Sequence, residues 1–235
     1  MKTTIFDKRL KQIPNFFPHP IVSFNPLKEL LLKMDFTDAN TGLTPEIIED
    51  VELFSNYITQ QLKSEGATYG IGGYDEHRTV YSRSKVFDSA NNESPRRLHL
   101  GIDIWGPAGT EVFGPIDGEV QSFAFNNQYG DYGATIILQH QIEDLRFYSL
   151  FGHLSLVDIQ TIKIGDQFKA GELVAHFGEP NENGQWPPHL HFQLIQNLEG
   201  NIGDYPGVCS LENRERYLDN CPDPDCLIGL MQFAK

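Results

Sequence analysis

At Gly66 the chain changes its period, and that change limits the folds open to it. Before Gly66, Thr44 followed by Pro45 and Glu46 has the form of an N-cap with proline at the first helical position. Ile47, Val51, Phe54, Ile58 and Leu62 then recur at steps of three and four. One amphipathic helix is expected from Thr44 to Leu62, and a shorter one starting at Asn25-Pro26 and running through Leu27, Leu30, Leu31 and Met34. After Gly66 the apolar residues fall in short alternating or β-branched runs between Gly, Asp, Asn and Pro. These are Val112 to Phe113, Gly118 to Phe125, Thr135 to Gln139, Arg146 to Leu150, Leu173 to Phe177 and Leu190 to Ile195. Gly165-Asp166 and Ala170-Gly171 flank short runs like a hairpin pair, and a further helix is expected around Glu212 to Leu218.

The expected fold is α+β, with a mostly antiparallel β core over 67–200. A helical N-terminal extension over 1–66, too short to form a core alone, packs on it, as does a turn-rich tail over 201–235. At 235 residues and 40% hydrophobic the chain can bury one sizeable core, and no stretch approaches the ~18–20 apolar residues of a membrane helix.

Charge narrows the partners. Lys plus Arg number 18 against 32 Asp plus Glu, a formal net charge of −14 that repels nucleic acid and anionic membrane or wall polymers at long range. The opening Met1 to Arg9 has basic residues with no apolar stretch behind them, so no export signal is read and a cytoplasmic location is expected. Cys209, Cys221 and Cys226 are odd in number and are expected as reduced thiols; a three-cysteine zinc knot would lack an evident fourth ligand.

The chemistry lies in the histidines. His99 and Asp103 stand four apart, and His189 and His191 two apart; in extended chain each spacing leaves its pair on one face. Imidazole nitrogen and carboxylate oxygen are zinc ligands, and a catalytic zinc keeps three protein ligands plus an open position. His99, Asp103 and one of the His189/His191 pair would supply those three. His140, at the end of a strand run, reads as a structural histidine, and His19, His77 and His176 have no partner spacing.

Together with their surroundings these pairs resemble a known family. The segments His99 to Val112, Asp117 to Val120, Tyr148 to Ser155, Ile164 to Gly171 and Pro188 to Phe192 are similar in order and spacing to the lysostaphin-type (LytM-like) zinc endopeptidases, over about residues 95 to 196. That resemblance implies a LytM-like β-sandwich of the duplicated hybrid motif type, a Zn2+ cofactor, and His99, Asp103 and His191 as its ligands. It further implies His153 and His189 as the two histidines around attacking water and oxyanion, and hydrolysis of small or glycine-rich peptide bonds, in a peptide or muropeptide-like substrate.

Other features depart from the cell-wall enzymes of this type, which usually carry export signals and wall-binding modules. Gly72 to Glu76, Arg78 and Tyr81, Asn183 to Pro188 and the Cys/Pro-rich stretch from Asp204 to Asp225 look like the form found between phosphotransferase (sugar-kinase-like) and aminotransferase domains. Tyr74, Arg78, Arg96, Arg97 and Trp186 are candidates to line the cleft, arginine reading a carboxylate and Trp186 presenting a flat face. Two rival functions are a non-catalytic LytM-like zinc module that binds a partner or regulates a neighbouring enzyme, and a lipoyl- or biotinyl-type carrier hairpin, for which Lys169 lacks the flanking signature. A segment of the extension or tail could also fill zinc's fourth position and hold the enzyme latent.

Overall fold

A computed structural model describes residues 5–14, 16–88 and 94–235; Met1 to Thr4, part of the segment read above for export, lie outside the described residues. In chain order the elements are α1 (Ile5–Gln12), β1 (Leu31–Lys33), α2 (Pro45–Glu49), α3 (Val51–Glu65), β2 (Tyr69–Gly72), β3 (Leu98–His99), β4 (Ile102–Trp105), β5 (Glu111–Phe113), β6 (Gly118–Asn126), β7 (Gly133–Ile142) and β8 (Leu145–Leu154). After these come α4 (Leu156–Ile159), β9 (Gln167–Phe168), β10 (Leu173–His176), β11 (His189–Ile195), β12 (Val208–Cys209), α5 (Arg214–Asn220) and α6 (Asp225–Ile228).

One eight-stranded sheet in the order β1-β2-β4-β11-β8-β7-β6-β9 organises the molecule, and β10 with β5 and β12 with β3 form two small ribbons. Within the large sheet all pairings are antiparallel except β1 with β2. The fold is therefore the expected α+β class with an antiparallel core.

Period-2 alternation sets the two faces of its central strands. Leu190, Phe192 and Leu194 of β11 and Ile102 and Ile104 of β4 enter the main apolar core with Ile71, Phe147 and Phe151. His189, His191 and Gln193 are thereby turned to the other face, along with Asp103 and Trp105. Every residue of β11 is buried, so both faces of this strand are covered.

What covers the second face includes the N-terminal extension. Phe54, Ile58 and Leu62 of α3 form a second apolar cluster with Phe36, Trp105 and Trp186. Three expectations for this region need correction. The single helix from Thr44 is two: the chain is extended at Asp50 (φ −101°, ψ 116°), whose side chain accepts from the backbone N–H groups of Glu52 and Leu53 and starts α3 afresh. Gly66, at φ 65°, does close α3 in the left-handed conformation that favours glycine.

The expected helix from Asn25 to Met34 is a turn followed by β1. The Asn25 side chain accepts from Leu27 N–H, and fully buried Leu31 pairs with Tyr69 at the sheet edge; edge pairing and burial outweigh the local helical spacing. The extension is accordingly not only helical, because it donates β1 to the main sheet.

Candidate metal centre

β4 and β11 are paired so that His191 lies directly opposite Asp103 and His189 opposite Trp105. His99 comes from β3, and the chain breaks at Leu100-Gly101 before β4, so the His99 to Asp103 spacing spans two strands rather than one extended face. A side chain at residue 101 would meet the His191 ring at 2.6 Å and the Phe192 carbonyl at 2.7 Å, and only glycine lets the histidine strand come this close.

The result is a triangle of buried atoms. His99 Nε2 is 2.9 Å from His191 Nδ1 and 3.2 Å from Asp103 Oδ1, and His191 Nδ1 is 3.1 Å from the same oxygen. Among the described residues this is the group of three or more His, Cys, Asp or Glu whose ligand atoms converge.

Hydrogen bonds at the far side of each ring assign the tautomers. His99 Nδ1 donates to the Gly73 carbonyl at 3.0 Å, and His191 Nε2 donates to Gln193 Oε1 at 2.9 Å, because both partners are acceptors. Gln193 is itself oriented by donating from Nε2 to the Pro206 carbonyl and the Cys221 sulfur. Both nitrogens of the triangle therefore carry lone pairs, facing a carboxylate oxygen with no proton between them. Three acceptors this close repel one another unless a cation sits among them. Ligands about 2.0–2.1 Å from a tetrahedral ion stand about 3.3–3.4 Å apart, close to the separations seen here. The residues present fit a zinc ion, and both rings have the outer hydrogen bond typical of metal-bound histidine.

Charge is arranged to match. Burial strips His99 of solvent and, with the Arg78 cation nearby, lowers its pKa to about 3, so the ring is neutral and available as a ligand. Burial opposes the charge on Asp103, yet the His99 ring and Arg78 hold its carboxyl well below the usual range. Arg78 Nη1 donates to Asp103 Oδ2, leaving Oδ1 for the triangle.

His153 and His189 stand beside this triangle with ring centroids 4.1 Å apart. His153 Nδ1 donates to the Asn183 carbonyl at 2.8 Å and His189 Nδ1 to the Pro187 carbonyl at 2.7 Å, so each presents a bare Nε2. Burial lowers the pKa of His189 to about 4; burial and then the neighbouring His189 push His153 well below its ordinary value. His153 sits at φ 63°, a left-handed conformation costing a non-glycine residue about 1–2 kcal/mol, held by bonds from its N–H to Tyr132 O and from Gly178 N–H to its own carbonyl.

A cavity of about 130 Å³ opens over the centre, walled by Asp103, His153, His189 and His191, by Phe36 and Phe54 from the extension, and by residues 204–208 of the tail. Extension and tail thus shape the cleft, while none of their described His, Cys, Asp or Glu side chains joins the ligand triangle.

Of the expected cleft residues, Arg78, Arg96 and Trp186 do line this cavity. Tyr74 and Arg97 are not brought to it: the Tyr74 hydroxyl donates to the Cys221 carbonyl at 2.5 Å, and Arg97 pairs with Asp88 at 2.7 Å. The flat face expected of Trp186 is taken by Arg83, whose guanidinium lies 4.7 Å from the ring centroid. His140 is a structural residue within β7, bonded to the Asp117 carbonyl and the Ser149 hydroxyl. Sequence reasoning gave no site role to Gln193, to Tyr132, whose hydroxyl is 3.4 Å from His191 Nε2, or to Asn183, which it noted only as the start of the Asn183 to Pro188 segment. Gln193 carried a signal in its place two residues past His191 on the same strand face.

Residues 97–201 match the sequence signature of peptidase family M23. The chain is 27% identical over 146 residues to the L-Ala--D-Glu endopeptidase of Bacillus subtilis, covering 59% of this chain and 43% of that protein. It is 34% identical over 101 residues to an uncharacterized metalloprotease of Haemophilus influenzae, covering 43% of this chain and 19% of that one. The chain thus spans less than half the length of these relatives. Among solved structures, the catalytic domain of lysostaphin from Staphylococcus simulans is 18% identical with a TM-score of 0.39, covering 69% of this chain and 96% of that domain.

Proposed function

We propose that this chain, which carries an M23-type peptidase domain over residues 97–201, is a zinc-dependent endopeptidase acting on small or glycine-rich peptide bonds, with peptidoglycan-type peptides as the leading substrate class. The observation that carries this reading is the triangle of His99, Asp103 and His191, three acceptor atoms within 3.2 Å of one another with no proton to share. Zinc held by these three residues would polarise the scissile carbonyl and make water a better nucleophile near neutral pH.

The remaining work falls to His153 and His189. Both are neutral at pH 7, both line the cavity and both have Nδ1 engaged, which leaves Nε2 as the lone pair, so either can accept the proton released as water attacks the carbonyl carbon. Their closeness means that the pair holds one proton at a time: a second charge 4.1 Å away in a buried site is strongly opposed. The protonated ring then donates to the oxyanion or to the leaving amine, and loss of that amine breaks the C–N bond and restores the neutral pair. A bare binding module needs neither ring, and the backbone strain stored at His153 favours the enzyme over the non-catalytic alternative. The motifs flanking the domain are also the basis for proposing phosphotransferase or aminotransferase partners.

Digestion of a peptide library and of muropeptides by zinc-loaded protein tests the proposal. Cleavage abolished by chelator and restored by zinc is expected; a folded, zinc-loaded protein that cuts nothing in either pool would leave only the binding module.

A further inference from the structure

Part of the cavity wall over the metal centre is hydrocarbon. Tyr81 and Phe87 come from two short 3-10 turns, Val80–Arg83 and Lys85–Phe87, and meet Trp186 in one aromatic group on that wall. Ring centroids are 4.6 Å apart for Tyr81 and Phe87, 6.1 Å for Tyr81 and Trp186, and 6.4 Å for Phe87 and Trp186. Phe54 of α3 packs 6.4 Å from Trp186, and Val86 and Val208 belong to the same apolar cluster and also line the cavity. The polar atoms of these rings are engaged or sealed: the Tyr81 hydroxyl accepts from Arg78 Nη1 at 3.4 Å, and the Trp186 indole N–H is buried. What this part of the wall offers a ligand is therefore carbon.

It stands against the reacting groups. The Trp186 centroid is 6.3 Å from that of His153 and 6.5 Å from that of His189, while Asp103, His153, His189 and His191 supply the polar part of the lining. A peptide bond held for attack at the two imidazoles thus has an apolar surface beside it. Empty space against such a surface forfeits dispersion contacts, and water there finds few polar partners. Glycine on that flank would leave the space unfilled.

We infer that this wall is a subsite for an apolar side chain on one flank of the scissile bond, which confines glycine to the other flank. The inference rests on the peptidase reading above and narrows its substrate class. The cavity of about 130 Å³ sets the size. An apolar cavity of about 150 Å³ holds one benzene, and here the scissile bond needs part of the room, so the side chain is aliphatic and no larger than leucine. Phe54 and the 80–87 segment lie outside residues 97–201, so this preference comes largely from chain beyond the family-matching segment.

Metal-free protein isolates the subsite from catalysis. Trp105 and Trp186 are the two tryptophans of the chain and both line the cavity, so intrinsic fluorescence reports its occupancy. The probes are the N-acetyl amides of glycine, alanine, leucine and asparagine, the last close to leucine in shape but polar. Leucine is expected to bind about tenfold or more tightly than glycine, with alanine between them and asparagine no better than alanine. Val86 is half-buried, and Val86→Phe should fill the space and remove most of the leucine advantage. Equal binding of leucine and glycine, equal binding of leucine and asparagine, no saturable binding of any probe, or the full leucine advantage retained in Val86→Phe would each overturn the subsite. The comparison on the unaltered chain stands even where the variant fails to fold. Zinc-loaded protein is then given peptides that differ only in holding one Leu-Gly, Gly-Leu or Gly-Gly bond. A leucine peptide should be cut about tenfold or more faster than the Gly-Gly one, and the faster of the two leucine orders names the flank. Leucine preference in binding without cleavage of any peptide would remove the peptidase reading and leave the subsite; cleavage fastest at Gly-Gly would do the reverse.

Discussion

His191 donates from Nε2 to Gln193 Oε1 at 2.9 Å, two residues along the same face of β11, and this bond leaves Nδ1 as the ring's free lone pair. Gln193→Ala removes the acceptor, frees the tautomer and should weaken zinc binding by about 10–100-fold. Gln193→Glu keeps an acceptor at the same place and should retain most of the affinity. Competition with a chromogenic chelator measures both; equal loss in the two variants would show that packing rather than the hydrogen bond matters.

The two histidines of β11 should separate cleanly. His191→Ala is expected to lose zinc, whereas His189→Ala and His153→Ala keep it and lose about 10²–10⁴-fold in turnover. Metal analysis beside peptide cleavage decides, and zinc lost from His189→Ala but kept by His191→Ala would reverse the assignment.

Gly101→Ala places a methyl group 2.6 Å from the His191 ring and 2.7 Å from the Phe192 carbonyl. Backbone cannot yield as a flexible side chain can. Destabilisation of about 1–3 kcal/mol and loss of zinc are expected, read from urea unfolding and metal content. A variant as stable as the parent would mean that β3 and β11 can separate at no cost.

Acid should destabilise the metal-free protein through its buried histidines. Burial lowers the pKa of His140 from 6.5 to about 4, so the folded state binds fewer protons than the unfolded chain between those values. Stability is therefore full above about pH 6.5 and falls as pH drops toward 4, by about 3 kcal/mol for this residue. His189 and His99 add to the same slope. Urea midpoints at pH 7 and pH 5 in the presence of chelator measure it, and His140→Gln should flatten the dependence. A midpoint that does not move with pH in the parent would contradict the burial of a neutral His140.

Local pattern carried part of this structure unaided. Alternation along His189 to Leu194 placed histidines on one face and apolar residues on the other, because successive side chains of a strand point to opposite sides. The same logic found the runs that became β5 to β8, β10 and β11, and the capping residues found α3 except for its start. What it could not supply was register. His191 faces Asp103 only because β11 pairs with β4 as it does, and a slip of one residue would turn the histidines into the apolar core. The orienting acceptors of His99, His153 and His189 are the backbone carbonyls of Gly73, Asn183 and Pro187, which leave no side-chain signal to read. Leu31 fits a helical spacing until the sheet edge claims it, and Arg78 looks like any solvated arginine until it pairs with Asp103 and packs against two aromatic rings. Residue types and spacings determined which chemistry this chain holds; strand pairing and burial, which depend on contacts distant in sequence, decided that its ligand atoms meet at one point.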